Sequence, residues 1–285
     1  MTTRESHSNG TAAAPLSKDA TANGSLLPGT TLPATPPTLS HNTPSPPHTF
    51  PGPTINGHST TTTLYEPAQL AASPLIPALH KLINRAFDHS HRTKGIPINI
   101  DRLPTTNDYI QQVGTDPGTF VYVVTWTATG EPVATAGAHR YVGGEVMAQG
   151  AEEGREAARS AFTRVRLPAA TAAEAGGERA EVWELKLMAV DIAYSGRGLA
   201  SYLMKLVDRE VLVRRKGGGV GGKGAGGEGA GRGEVWMVLT TVTEANGEFY
   251  RRRGYAEDYE TVHGPGFMGT PGGFRVVHMS KVLEG

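Results

Sequence analysis

The chain has 285 residues, enough for one good-sized domain or two small ones. Its 27 Lys and Arg balance its 27 Asp and Glu, so it lacks the basic excess of a general nucleic-acid binder. It contains no cysteine, which excludes disulfides, zinc–thiolate sites and a cysteine nucleophile.

Residues 1–62 hold 10 of the 20 prolines, set among Thr and Ser. Too few large apolar groups are present to offset the entropy of ordering them. The composition therefore predicts a disordered tail over 1–62 and a folded domain over 63–285. The opening "MTTRESHSNG" lacks the apolar core of a secretory signal, and no run reaches the ~18 apolar residues of a membrane span. The expectation is a cytoplasmic protein without membrane contact. An organellar transit segment is the alternative, since the start is rich in Ser and Thr and poor in acids.

"SPLIPALHKLINRAFDHSH" predicts the first helix, with Ser73 as N-cap, Pro74 in the first turn, and Ile76, Leu79, Ile83, Ala86 and Phe87 on one stripe. "TFVYVVTWT" and "PVATAGAHRYV" are β-branched and aromatic. The turn signal "ATGEP" between them predicts an antiparallel hairpin. An Ala/Glu/Gly-rich insertion follows at about 143–179. "AEVWELKLMAVD" predicts a strand and "LASYLMKLVDREVLVRR" a helix with Leu199, Leu203, Leu206 and Val207 inward. A second insertion at about 216–233 includes "GGGVGGKGAGGEGAGRG", with 11 Gly in 17 residues, and has the composition of a flexible linker. "EVWMVLTTVTE" is a strand, "NGEFYRRRGY" a short helix ending at Gly254, and "FRVVHMSKVL" a last strand. Helix, hairpin, strand, helix, strand, helix, strand is the order of a mixed α/β domain.

Gly196 and Gly198 stand at the junction of the 181–190 strand and the helix after it. Bare glycines there let backbone N–H groups converge where the helix N-terminus adds its positive end, which makes an anion site. A dinucleotide fingerprint would need Gly at position 201, which is Ser201. A Walker A loop would need Ser or Thr after Lys223, which is followed by Gly224, and no strand leads into it. The pattern [R/Q]-x-x-G-x-[G/A] fits Ser195, Gly196, Arg197, Gly198, Leu199 and Ala200 at all but the first position.

Here the sequence resembles the GNAT acetyltransferase superfamily. "ELKLMAV" is similar to the family's strand that runs into the pyrophosphate loop, and "EFYRRRGY" to its F-Y-x-x-x-G-[FY] helix. The resemblance covers about 63–285. It implies a mixed, mostly antiparallel central sheet flanked by helices, and acetyl-CoA as co-substrate with an amine as acceptor. It also implies that Met188 and Val190 pair with the pantetheine arm and that residues 195–200 hold the pyrophosphate. Asn246 sits where some relatives contact the cofactor; a helix N-cap is its other reading. Ser195 departs from the usual Gln or Arg, which removes a long side chain near the phosphates but no backbone donor.

An alkylamine of pKa ~10.4 is less than about 0.1% neutral near pH 7, a deficit of roughly 4–5 kcal/mol, so acetyl transfer needs a base for the amine and an acid for the thiolate. The resemblance implies Glu184 as base and Tyr250 as acid. The plain structural readings are a strand carboxylate paired with Lys186 and a packed tyrosine. His139 and His263 are weaker candidates for the acceptor side, and Arg251, Arg252 and Arg253 read as a solvated helix face with one arginine near the cofactor's phosphate. The reading is a direct N-acetyltransferase working in a ternary complex. Its rivals are an inactive CoA-binding regulatory module and a dinucleotide-dependent oxidoreductase.

Overall fold

The computed structural model describes residues 45–96, 100–116, 118–141, 180–217 and 233–284. Both predicted insertions lie almost wholly outside these residues, as do residues 1–44 of the predicted tail.

The elements, in chain order, are β1 (His48–Pro51), β2 (Thr60–Tyr65), α1 (Pro67–Ala71), α2 (Ile76–Arg92), α3 (Thr106–Val113), β3 (Phe120–Trp126) and β4 (Pro132–Arg140). There follow β5 (Glu181–Val190), α4 (Leu199–Gly217), β6 (Val235–Val242), α5 (Glu248–Arg251), β7 (Ala256–His263) and β8 (Phe274–Leu283). The eight strands form one sheet in the order β1-β2-β3-β4-β5-β6-β8-β7. All neighbours are antiparallel except β5 and β6. A mixed, mostly antiparallel sheet flanked by helices is thus what the sequence led us to expect.

The domain begins earlier than residue 63, which is a correction to the expected boundary. That boundary falls inside β2, and β1 lies wholly within the predicted tail. The proline-rich composition masks a β-branched run, "TTTTLY", that pairs with β3 from Thr60↔Trp126 to Tyr65↔Val121. Thr62 is fully buried, Ile55 joins the core, and the Thr62 hydroxyl meets the Tyr202 hydroxyl of α4 at 3.0 Å. Pro51 ends β1 on the sheet edge, where a missing N–H costs no ladder bond. Deleting residues 1–62 should therefore strip β1 and half of β2 from the edge of β3. We expect loss of soluble expression, read as the non-aggregated fraction on gel filtration; an undiminished non-aggregated peak would contradict this assignment.

Two apolar layers cover the sheet. On one face Phe120, Ala136, Trp183, Leu185 and Met237 pack against Leu199, Leu203 and Val207 of α4. On the other, Val121, Val123 and Ala189 pack against Leu79, Leu82 and Ile83 of α2 and Tyr109 of α3. Alternation along β3 serves both layers, as a central strand requires. The start of α2 differs from expectation: Leu75 is the N-cap residue, and the Ser73 hydroxyl instead accepts the Leu75 N–H at 3.2 Å. Sequence reasoning missed α3. Its capping box was legible: Thr105 accepts the Asp108 N–H while the Asp108 carboxylate accepts the Thr105 N–H at 2.6 Å. It also missed β7, whose run "AEDYETVH" carries Glu257, Asp258, Glu260 and His263 along the sheet edge.

Candidate active site

The site is a fork in the sheet. β5 and β6 pair in parallel only from Glu181↔Val235 to Glu184↔Val238. Beyond Glu184, β5 keeps β4 on one side only, and its outward backbone groups face a cleft of about 1770 Å³ lined by both strands. A bulge sharpens the divergence. Gly137 pairs with Lys186 and Thr135 with Ala189, so two residues of β5 oppose Ala136, and Leu187 takes a left-handed φ of 49°. The bulge also switches side-chain parity. Trp183 and Leu185 face the α4 layer, whereas Leu187 and Ala189 pack in the α2 layer.

β5 leads into a single 3₁₀ turn, Ile192–Tyr194, capped by the Asp191 carboxylate on the Ala193 N–H at 3.0 Å. Gly196 and Gly198 then adopt φ of 75° and 84°, a region that only glycine enters freely. A Cβ on either glycine would meet no protein atom within 4 Å, so open space lies in front of this backbone. The first helical bond of α4 runs from the Tyr202 N–H to the Gly198 carbonyl at 2.9 Å. Among the described residues no acceptor meets the N–H groups of Gly196, Gly198, Leu199, Ala200 or Ser201. They form a row of donors at the N-terminus of a 19-residue helix.

Of the residues assigned to cofactor binding, Met188, Val190, Ser195, Gly196, Gly198, Leu199, Ala200 and Asn246 line this one cleft. Arg197 is not in that lining: its N–H turns to the Tyr194 carbonyl at 3.4 Å and its side chain is exposed. Asn246 is not a helix cap. It lies in the π-turn Thr243–Gly247, and the N-cap of α5 is Gly247. Among the three arginines, Arg253 stands out. Its guanidinium packs over the Phe249 ring at 3.4 Å from the centroid and bonds the Ser201 hydroxyl of α4's first turn. Arg251 instead pairs with Glu248 and Glu257 on the exposed side.

Glu184 sits at the apex of the fork, the last residue of β5 paired with β6. His139 lies directly opposite on β4, its Nε2 3.0 Å from Glu184 Oε2, and Lys186 Nζ lies 3.3 Å from the same oxygen. Burial alone raises the Glu184 carboxyl, but the His139 hydrogen bond and the Lys186 charge outweigh it and hold the group below its ordinary value. Glu184 itself is not in the cleft wall, while His139 and Lys186 are. Cross-strand register made this pair, which spacing in one strand does not reveal. His278 on β8 completes that wall. It stacks on Tyr259 at 4.0 Å, and burial pushes it down to about 4, so it is neutral at physiological pH.

Tyr250 lines the cleft from α5, edge-on to Phe249 and Tyr255. Burial pushes its hydroxyl well above the ordinary tyrosine range, against a smaller opposing effect of Arg253. No described residue hydrogen-bonds that hydroxyl, so it stays protonated and uncommitted at the cleft. His263 lies further out, stacked on Phe267 at 4.0 Å.

No family model matches this sequence, and no curated protein does either. Solved structures are similar to it at low identity. FeeM, an N-acyl amino acid synthase from uncultured soil microbes, is 12% identical with a TM-score of 0.41, over 77% of this chain and 89% of that one. The ribosomal-protein-S18-alanine N-acetyltransferase from Escherichia coli is 14% identical with a TM-score of 0.42, over 79% and 95%. The NatC complex bound to Gag peptide and CoA matches at 10% identity and a TM-score of 0.44, over 78% and 99%.

Proposed function

We propose that this chain is an acyl-CoA-dependent N-acyltransferase of the GNAT type, moving an acetyl group from acetyl-CoA directly to an amine in a ternary complex. The observation that carries the reading is the fork itself: a splayed parallel strand pair whose open arm runs into a row of unpartnered N–H groups. An extended amide-bearing arm fits alongside the free edge of β5 at Met188 and Val190, as an added strand would. A pyrophosphate fits against the N–H groups of Gly196, Gly198, Leu199 and Ala200, with Arg253 close by. The topology disfavours the oxidoreductase rival, because a dinucleotide-binding sheet is mostly parallel and this one has a single parallel pair.

In the reaction the amine nitrogen attacks the thioester carbonyl from the Glu184 side. As the N–C bond forms, the nitrogen's proton becomes acidic and passes, through a bridging water because Glu184 is set back from the cleft wall, to the ionised Glu184 carboxylate, which His139 and Lys186 hold in place. The C–S bond then breaks, and the Tyr250 hydroxyl gives its proton to the leaving thiolate. The experiment is acetyl-CoA turnover on a panel of amines, read by thiol release. Turnover on any of them supports the reading. CoA binding with no turnover on the panel supports the inactive binding module instead.

Tyr250→Phe should lower turnover by about tenfold to a hundredfold, less than a base deletion would, because a thiol of pKa ~8.5 is a fair leaving group even unassisted. Extra hydroxide cannot replace the missing acid, so the deficit should persist or grow as pH rises. A deficit that closes at high pH, on a plot of rate against pH, would remove Tyr250 from this role.

A further inference from the structure

We infer that the acceptor is a small amine that carries a carboxylate a few bonds from its nitrogen, an amino acid with an apolar body, and that Arg102 is the residue that reads the carboxylate. This rests on the transferase reading and names the substrate class of the same cleft.

Arg102 lies between α2 and α3 and lines the cleft. Among the described residues its guanidinium makes no hydrogen bond and no ion pair. The Phe87 ring lies 5.9 Å away, and the Arg102 charge also acts on His91. Burial lowers the Arg102 pKa, and the Glu184 charge opposes this. A half-buried guanidinium without a paired carboxylate costs desolvation that no ion pair among the described residues returns. Of the acids at this end of the cleft, Glu184 is held by His139 and Lys186 and Asp108 by Thr105 in the capping box, while Asp116, also in the wall, makes no ion pair with Arg102. Among the described residues this guanidinium is therefore left without a paired carboxylate beside the place where the amine must arrive.

The backbone beside that cation is fixed in place. The adjoining Leu103 is fully buried. Its N–H donates to Asn84 Oδ1 at 2.9 Å, and its carbonyl accepts from Asn84 Nδ2 at 2.9 Å and meets His80 Nε2 at 2.8 Å. Both backbone groups of the residue after Arg102 are thus tied to α2. The backbone that carries Arg102 is held at the cleft in advance, which lowers part of the entropic cost of using its side chain. Its planar fork suits a carboxylate bidentately.

Charge sets the class. A polyamine or basic peptide brings extra positive charge to a wall that already presents Arg102 and Lys186. A zwitterion places its carboxylate on Arg102 and its amine toward Glu184, and both ends are matched. Part of this end is apolar: Phe87 of α2 packs with Met268 and Phe274 of the C-terminal segment, and Ile83 and Phe267 line the cleft too, beside polar groups such as Gln111, Gln112 and His263.

The test uses the full chain with acetyl-CoA and three apolar amino acids, phenylalanine, leucine and methionine, each beside its amide and its decarboxylated amine. The amides have the more readily deprotonated nitrogen, so chemistry alone favours them. We expect kcat/KM for at least one acid to exceed that of its amide and amine by tenfold or more. Arg102→Gln should bring that ratio close to one and Arg102→Lys should keep part of it, with CoA affinity by calorimetry unchanged in both. Because the ratio is taken within one preparation, partial misfolding does not affect it. If CoA binds and the amides or amines match the acids, or no acid is turned over, or Arg102→Gln leaves the ratio intact, the inference falls while the cofactor reading stands. If CoA does not bind the wild-type chain, both fall.

Discussion

Replacing Glu184 by Gln is expected to lower turnover of a good amine acceptor by about 10²–10⁴ at neutral pH, with CoA affinity unchanged. The substitution keeps shape and polarity and removes only the base. CoA affinity is spared because the proposed pantetheine and phosphate contacts lie further along, from Met188 to Ala200, on backbone groups. The pH dependence follows from the direction of the Glu184 shift. Its carboxyl is held below its ordinary value, so in the wild type it stays ionised throughout the neutral range and contributes no acid limb there. The acid limb of the rate profile then belongs to the amine. In the variant the deficit should shrink as pH rises, since hydroxide takes the proton from the attacking nitrogen in place of the missing carboxylate. Tyr250→Phe has the opposite trend, so the two variants separate on one pH–rate plot where chemistry limits turnover. Wild-type rates in Glu184→Gln would leave positioning of an already neutral amine as the better account.

Gly198→Val is expected to abolish CoA binding while leaving the domain folded. Gly198 has φ 84°, where a β-branched residue is strained by about 1–3 kcal/mol, a modest part of the roughly 5–15 kcal/mol of a typical domain. No protein atom lies within 4 Å of the new Cβ, so the core is not disturbed. The side chain instead enters the space in front of the donor row, and relief of the strained φ turns that row away. Losing two or more charge-assisted hydrogen bonds at roughly 1.5–3 kcal/mol each predicts at least a hundredfold weaker affinity. Saturating CoA should raise the melting temperature of the wild type and not that of the variant. A variant that melts cooperatively and is stabilised by CoA as strongly as the wild type would remove residues 195–200 from phosphate binding.

The parts of this site that were legible in the sequence are those that local chemistry dictates. Gly196 and Gly198 between a strand and an amphipathic helix announce a backbone that needs glycine, and both adopt a left-handed φ. The hairpin, β5, α4, β6 and β8 follow from period and turn residues. What was hidden depends on pairing between distant segments. The Glu184–His139 contact exists because β4 and β5 align those two residues, and the switch from the α4 layer to the α2 layer depends on a bulge at Leu187. No window of the sequence contains either fact. The strands β1 and β2 were lost to composition: a threonine run among prolines reads as tail until β3 offers it a partner. Arg102 drew no notice because an arginine in a loop is ordinarily solvated. Its proposed role rests on the lack of an ion pair among the described residues, which no window of the sequence contains.

The measurement that tests the central claim most directly is a calorimetric titration of the full chain with CoA and, separately, with NAD. A site built from the open arm of β5 and the donor row at residues 195–200 predicts saturable CoA binding at one site per chain and no heat of binding with NAD. Absence of CoA binding, or binding of NAD in its place, would contradict the account.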